Sequence, residues 1–138
     1  MATRAHERLD NALILPFNDA SQPAFTRGTE VKFDSSDTLL AATTGDDPLA
    51  IGFIYQSNAA GRPASVVMSG FAVMPVTVGT GGATRGKLAV RVSDGFTDAT
   101  TFGGGITAQT IRGQFLQSGV AGDVVGMMIG VNPSSAHA

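Results

Sequence analysis

The sequence predicts an all-β protein: a small β-barrel or β-sandwich of short antiparallel strands, preceded by an extended N-terminal arm. Three observations predict it. Beyond Gly28 the chain is a succession of short apolar or alternating runs separated by Gly-, Asp-, Asn- and Pro-rich connections, the pattern of strands joined by tight turns. No stretch of about 10 residues in that region keeps the period of an amphipathic helix. A segment of the first half also recurs in the second, with matching residues at matching places.

The elements follow in order. Residues 1–10 (MATRAHERLD) are polar and charge-mixed, enough for a frayed helical turn or two. Residues 11–25 (NALILPFNDASQPAF) hold two prolines, Pro16 and Pro23, and no amphipathic period. Each proline pushes the residue before it toward extended geometry and would end a helix begun at Thr3. The reading is an arm over residues 1–27 with apolar anchors Leu13, Ile14, Leu15, Phe17 and Phe25. The residues leave a second reading open, in which this segment folds back over its own domain with 13–17 as a first strand. The β domain is expected over 28–132 and a short tail over 133–138.

Within that domain 29–33 (TEVKF) alternates weakly and runs into the turn cluster 34–37 (DSSD). Further strands are expected at 50–55 (AIGFIY), 64–69 (ASVVMS), 71–78 (FAVMPVTV), 87–93 (KLAVRVS), 114–117 (QFLQ) and 123–131 (DVVGMMIGV). Turn chemistry fills 44–48 (TGDDP), 79–82 (GTGG), 93–95 (SDG) and 103–105 (GGG). Residues 107–112 have a helical look but are too few to matter.

The repeat is the most informative feature. Residues 52–61 (GFIYQSNAAG) and 113–122 (GQFLQSGVAG) share Gly52/Gly113, Gln56/Gln117, Ser57/Ser118, Ala60/Ala121 and Gly61/Gly122, at a constant spacing of 61 residues (113 minus 52). A methionine-bearing apolar run follows each copy. Each copy therefore reads as an outgoing strand, a turn closed by Ala-Gly and a returning strand, with glycine supplying the positive φ of the turn. Two such hairpins, each apolar on one face, are expected to bury those faces against each other.

Composition excludes several function classes. Only 14% of residues are charged, against about 25% in an ordinary globular protein. Nine Lys and Arg, two of them Lys, are scattered among 11 Asp and Glu for a net charge of −2. A nucleic-acid binder should show clustered cations, so no nucleic-acid partner is expected. The absence of cysteine removes disulfide frameworks and thiolate zinc sites. The longest apolar run near the N-terminus is 12–17 (ALILPF), shorter than a signal peptide's core and far short of a membrane span. Neither export nor a membrane partner is expected.

Candidate chemistry is thin. Residues 81–87 (GGATRGK) match the spacing of a phosphate loop, but Leu88 stands where magnesium needs Ser or Thr. The following 87–92 (KLAVRV) alternates like a strand rather than opening an anion-binding helix. The two histidines, His6 and His137, lie near opposite ends, which leaves the β domain without an imidazole base or ligand. Asp46-Asp47 reads as a solvated turn. Asp94 and Asp98 flank Gly95 without the further side-chain oxygens of a complete calcium loop, though backbone carbonyls could supply them. Paired glycosidase-type carboxylates are not excluded by spacing alone. Met127 and Met128 read as adaptable packing residues. No catalytic residue, metal ligand or cofactor is assigned, and the protein is not expected to be an enzyme. The low charge and the unpartnered apolar arm instead point to an exterior buried against other chains.

The run 40–52 (LAATTGDDPLAIG), the turn 59–61 (AAG), 64–70 (ASVVMSG), 71–78, 86–95 (GKLAVRVSDG) and 121–125 (AGDVV) together resemble the small, glycine-rich, all-β capsid decoration (cement) proteins of tailed bacteriophages. The resemblance spans residues 40–131; the first 39 residues match none of its motifs. It implies a virion protein on the outer surface of an icosahedral head, made in the host bacterial cytoplasm. It further implies a homotrimer that bridges and stabilises subunits of the major capsid protein. An arm of this kind can add to a sheet edge of a capsid subunit, ordering as it binds, with avidity from many copies. On this reading Leu13, Ile14, Leu15 and Phe17 contact the capsid or an adjacent protomer. Two alternatives stay open: a tail or baseplate β-module, and a carbohydrate-binding or hydrolytic β-sandwich, the latter poorly served by one Tyr and no Trp.

Overall fold

The computed structural model describes residues 12–18, 21–43, 50–56, 58–69, 72–99 and 111–129. Ten strands fall in them: β1 Leu13–Phe17, β2 Glu30–Phe33, β3 Leu39–Ala41, β4 Gly52–Ile54, β5 Ala64–Ser69, β6 Val73–Thr77, β7 Leu88–Val92, β8 Gly95–Asp98, β9 Ile111–Phe115 and β10 Val124–Met128. They form two five-stranded antiparallel sheets, in the orders β1-β5-β4-β2-β3 and β6-β10-β9-β7-β8. The architecture is all-β and sandwich-like, without a closed barrel. The second sheet curls enough for Val78, just beyond β6, to make an isolated parallel bridge to Phe96 in β8.

Of the two readings left open for the N-terminal segment, the folded-back one matches its geometry: Leu13–Phe17 is a strand on β5, and Phe25 lies 5% exposed in the core. Residues 1–11 are outside the described residues. Two strands, β3 and β8, went unexpected. Both are short and are held by their neighbours β2 and β7 rather than by an apolar pattern of their own. The strand expected at 114–117 starts earlier, at Ile111, so Ile111 and Arg112 are extended rather than helical and Gln117 lies in the turn. The tail 133–138 and the turns at 44–48 and 103–105 lie outside the described residues.

The repeat extends far beyond one hairpin. Each sheet is one copy, and the two match strand for strand in register. Phe53 and Ile54 face Val67 and Val66 as Gln114 and Phe115 face Met128 and Met127. Glu30 and Val31 face Phe53 and Gly52 as Leu88 and Ala89 face Gln114 and Gly113. Phe33 and Leu39 pair as Arg91 and Phe96 do. Pro16 faces Ser65 as Pro75 faces Gly126. The bridge Phe25–Asn58 has its counterpart in Ala83–Gly119, and the Gly28 N–H donates to Ile54 as the Gly86 N–H donates to Phe115.

Close approach explains one glycine pair that the two copies share. A Cβ on Gly52 would sit 2.3 Å from the Val67 carbonyl oxygen, and one on Gly113 would sit 2.6 Å from that of Met128. No side chain fits at either place. Gly61 and Gly122 both take positive φ, 72° and 94°, at the turns, as a residue without Cβ does readily. Pro16 and Pro75 sit on outer strands, where a missing N–H is tolerated.

Alternation along each strand gives the sheets a front and a back. The front of the first sheet carries Val31, Leu39, Ile54, Ala64 and Val66, which with Phe25 form one buried cluster. Its back carries Phe53 and Val67, with Ile14 and Tyr55 alongside. These pack into the second cluster with Met74, Val76, Ala89, Phe96, Phe115, Val125 and Met127, the front residues of the second sheet. The two hairpins therefore do not bury equivalent faces against each other, as their likeness suggested. The back of one lies on the front of the other, with the Phe53 and Phe96 rings 5.9 Å apart.

Candidate functional site

The seam between the two halves carries the densest polar chemistry. Glu30, on the back of β2, has a side chain 1% exposed. It takes an ion pair from Arg91 of β7 and a second from Arg112 of β9, whose Nη2 lies 2.6 Å from Oε2. Arg112 Nε also donates to both oxygens, at 3.2 and 3.0 Å. Arg91 in turn donates from Nε and Nη2 to the Thr43 carbonyl, at 3.1 and 2.8 Å. One buried carboxylate thus ties together strands of both sheets. Burying these charges is costly, but removing one partner from such a cluster is costlier, because the remainder is left uncompensated.

Beside this cluster a polar cleft of about 340 Å³ opens along the seam, lined by Arg27, Glu30, Arg91, Ser93, Asp94 and Phe96 among others. Arg27 lies over the Tyr55 ring at 5.6 Å, an arrangement that favours the cation modestly at an exposed site. The charged groups on the cleft are engaged with protein partners. Asp94 accepts from the Thr80 N–H and hydroxyl at 2.9 and 2.6 Å. The Thr80 hydroxyl, followed by its N–H, holds the Asp94 carboxyl below its ordinary value of 3.8. Asp98 is committed in the same way to Thr84, at 2.7 and 2.6 Å. The two acids considered for calcium therefore brace neighbouring loops, and among the described residues no three His, Cys, Asp or Glu side chains gather as a metal site.

The phosphate-loop look-alike resolves into structure. Gly81, Gly82 and Gly86 take positive φ, and the chain enters strand β7 rather than a helix. Thr84-Arg85-Gly86 is the second copy of Thr26-Arg27-Gly28, a duplicated tripeptide that the sequence displays openly and that extends the repeat. Met127 is fully buried in the seam cluster as a packing residue, and Met128 is half-buried on the back of its sheet. Asp46, Asp47, His6 and His137 lie outside the described residues.

The turn residues of the repeat serve the fold. Gln117 Oε1 accepts from the Gly126 N–H at 2.8 Å, locking the second hairpin; Gln56, Ala60 and Ala121 are exposed. Ser118 Oγ accepts from the Arg85 N–H, while Ser57 lies outside the described residues. The five arm anchors separate. Ile14 packs inward on the seam cluster and Phe25 belongs to the first core. Leu13 and Leu15 are 50% and 39% exposed. Phe17 is half-buried, its ring edge-on to Phe33 at 5.3 Å, and Phe33 is itself 38% exposed. Leu13, Leu15, Phe17 and Phe33 give the first half an apolar surface, and the second half exposes Val120 and Val124.

No family model matches the chain, and no curated protein matches it. Among solved structures it is similar to the N base of the head fiber protein gp8.5 of bacteriophage phi29. The TM-score is 0.62 and the identity 14%, over 85% of this chain and 94% of that one. A likeness at that identity establishes the shared fold.

Proposed function

We propose that the protein is a structural component of a tailed-phage head: a non-enzymatic decoration (cement) protein. It binds the outer surface of the icosahedral shell as an oligomer, expected to be a trimer, and bridges and stabilises subunits of the major capsid protein. The observation that carries the reading is the match of nearly the whole fold to a base domain named for a phage head fiber. The chemistry agrees with it. The polar clusters among the described residues are spent on bracing the fold, and Leu13, Leu15 and Phe17 offer an outward-facing apolar surface to the capsid or an adjacent protomer. A protein that works by holding a shell together needs such a surface and needs no reaction centre.

The test is co-sedimentation of the purified protein with phage heads that lack it. Saturable binding is expected, together with a rise in the temperature at which the heads release DNA. Replacing Leu13 and Leu15 by Asp should weaken binding about tenfold or more, the scale of a lost apolar contact, while the far-ultraviolet circular dichroism of the free protein keeps its β-sheet signature. Recovery of the protein in purified tails and its absence from heads would overturn the reading.

A further inference from the structure

The duplication lets one half serve as a template for what the other half lacks. In the second sheet the front positions Met74, Val76 and Arg91 are 0%, 1% and 7% exposed, because the back of the first sheet lies over them. Their counterparts in the first sheet are Leu15, Phe17 and Phe33, and nothing covers these to the same degree. Conversely, the back of the first sheet presents Gly28, Glu30, Phe53 and Val67 to its neighbour. Gly28 is so close that an added Cβ would collide with the Pro75 carbonyl oxygen at 1.9 Å. The counterparts Gly86, Leu88, Gln114 and Met128 are exposed or half-buried, and a Cβ on Gly86 would meet nothing within 4 Å.

The contact between the halves is thus head-to-tail, and a contact of that kind leaves two surfaces over at the ends of the chain: the rim of the first sheet's front, whose centre is buried in its own cluster, and the back of the second sheet. We infer that these two faces join between copies: the Leu15–Phe17–Phe33 front of one chain receives the Leu88–Gln114–Met128 back of the next. The side chains agree with this choice of occupant. Within a chain the paired positions 30 and 91 carry Glu and Arg, an ion pair. Between chains the equivalent positions 88 and 33 carry Leu and Phe, an apolar pair. Each contact is complementary in its own chemistry, and neither pairs a charge with an apolar group. The first sheet's own back is already occupied, so the free back is the second sheet's. Repeated around a rotation that closes, this contact makes a ring.

The inference stands apart from head binding and is tested without heads. The chain has no cysteine, so Phe33→Cys and Leu88→Cys can be introduced singly and the two variants mixed under mild oxidation. A disulfide-linked pair is expected from the mixture and not from either variant alone. By sedimentation the unmodified protein should be an oligomer, Phe33→Arg and Leu88→Glu should each dissociate it at least tenfold more readily, and the double variant should regain association. That rescue separates a lost interface from a lost fold. Cross-linking of Phe33→Cys to itself, a monomer at high micromolar concentration, or failure of the double variant to reassociate would overturn the inference. So would a monomer whose Phe33→Arg variant merely loses head binding, which would assign the patch to the shell and leave the decoration reading intact.

Discussion

The two halves of this protein hold one backbone plan and two different sets of face residues. Every strand pairing of the first sheet has a counterpart in the second, and the residues that keep it are those the backbone itself demands: Gly52 and Gly113 beneath a neighbouring carbonyl, Gly61 and Gly122 at the turns. The back faces diverge. Phe53 and Val67 in the first half stand where the second has Gln114 and Met128, and Glu30 stands where it has Leu88. Backbone geometry was held constant while side chains were reassigned according to what each face must meet. The comparison teaches that likeness of fold between the halves carries no information about likeness of partner.

The largest effect should come from breaking the charged tie across the seam. Glu30→Ala leaves Arg91 and Arg112 without their carboxylate and should cost about 3–5 kcal/mol in chemical denaturation. The triple change Glu30→Leu, Arg91→Phe and Arg112→Leu removes all three charges and imports the pair found at positions 88 and 33. Because packed apolar side chains replace a buried ion cluster well, it should recover more than half of that loss. A triple variant no better than Glu30→Ala would break the equivalence of the two contacts.

A smaller effect should come from exchanging the back faces. Phe53→Gln removes a ring from the seam cluster and should cost about 3 kcal/mol, near the lower end for loss of a buried Phe. The reverse change, Gln114→Phe, alters a half-buried residue on the free back and should change monomer stability by less than about 0.5 kcal/mol. Equal costs in the two melts would mean that the backs are not distinguished by burial as described.

The smallest effect concerns the β-turns, where the halves also differ. Between β2 and β3, Asp34 caps its own turn, accepting from the Ser36 and Thr38 N–H groups at 2.8 and 2.9 Å. Between β7 and β8, Asp94 reaches across to Thr80 instead. Because the folded Asp94 value is depressed, its contribution to stability is present above the ordinary carboxylate value and is lost as pH falls through the lower folded one. Thr80→Val removes the hydroxyl donor, so Asp94 should titrate at higher pH, closer to 3.8. Carboxyl-carbon NMR over an acid titration reads this directly; an unmoved midpoint would discard the hydroxyl as the cause.

Sequence patterning exposed most of this fold because most strands are half-buried and alternate. The run at 64–69 coincides with β5, and those at 29–33, 50–55, 71–78, 87–93 and 123–131 each contain a strand. It missed β3 and β8 because strands of three and four residues, bounded by Asp, Ser and Thr, carry too few apolar positions to display a period. It began β9 too late because residues 107–112 look helical in sequence, and Gly113 adds no side chain to the strand pattern, being the residue type that fits under the Met128 carbonyl. The Thr-Arg-Gly duplicate was in plain view but hidden inside a phosphate-loop spacing. The Glu30–Arg91–Arg112 cluster had no such signal. Its members lie 61 and 82 residues apart, and each looks locally like an ordinary charge on a strand.

Pro16 and Pro75 interrupt the hydrogen-bonding edge of each sheet's first outer strand, β1 and β6. An incoming strand laid along the β1 border would find a missing rung halfway up the ladder, and at the β6 border Gly28 of the same chain already lies against Pro75. Copies at high concentration are thereby steered away from fibrous aggregation by backbone pairing, and the stickiness of the molecule is confined to its side-chain faces, where the number of neighbours is limited by shape.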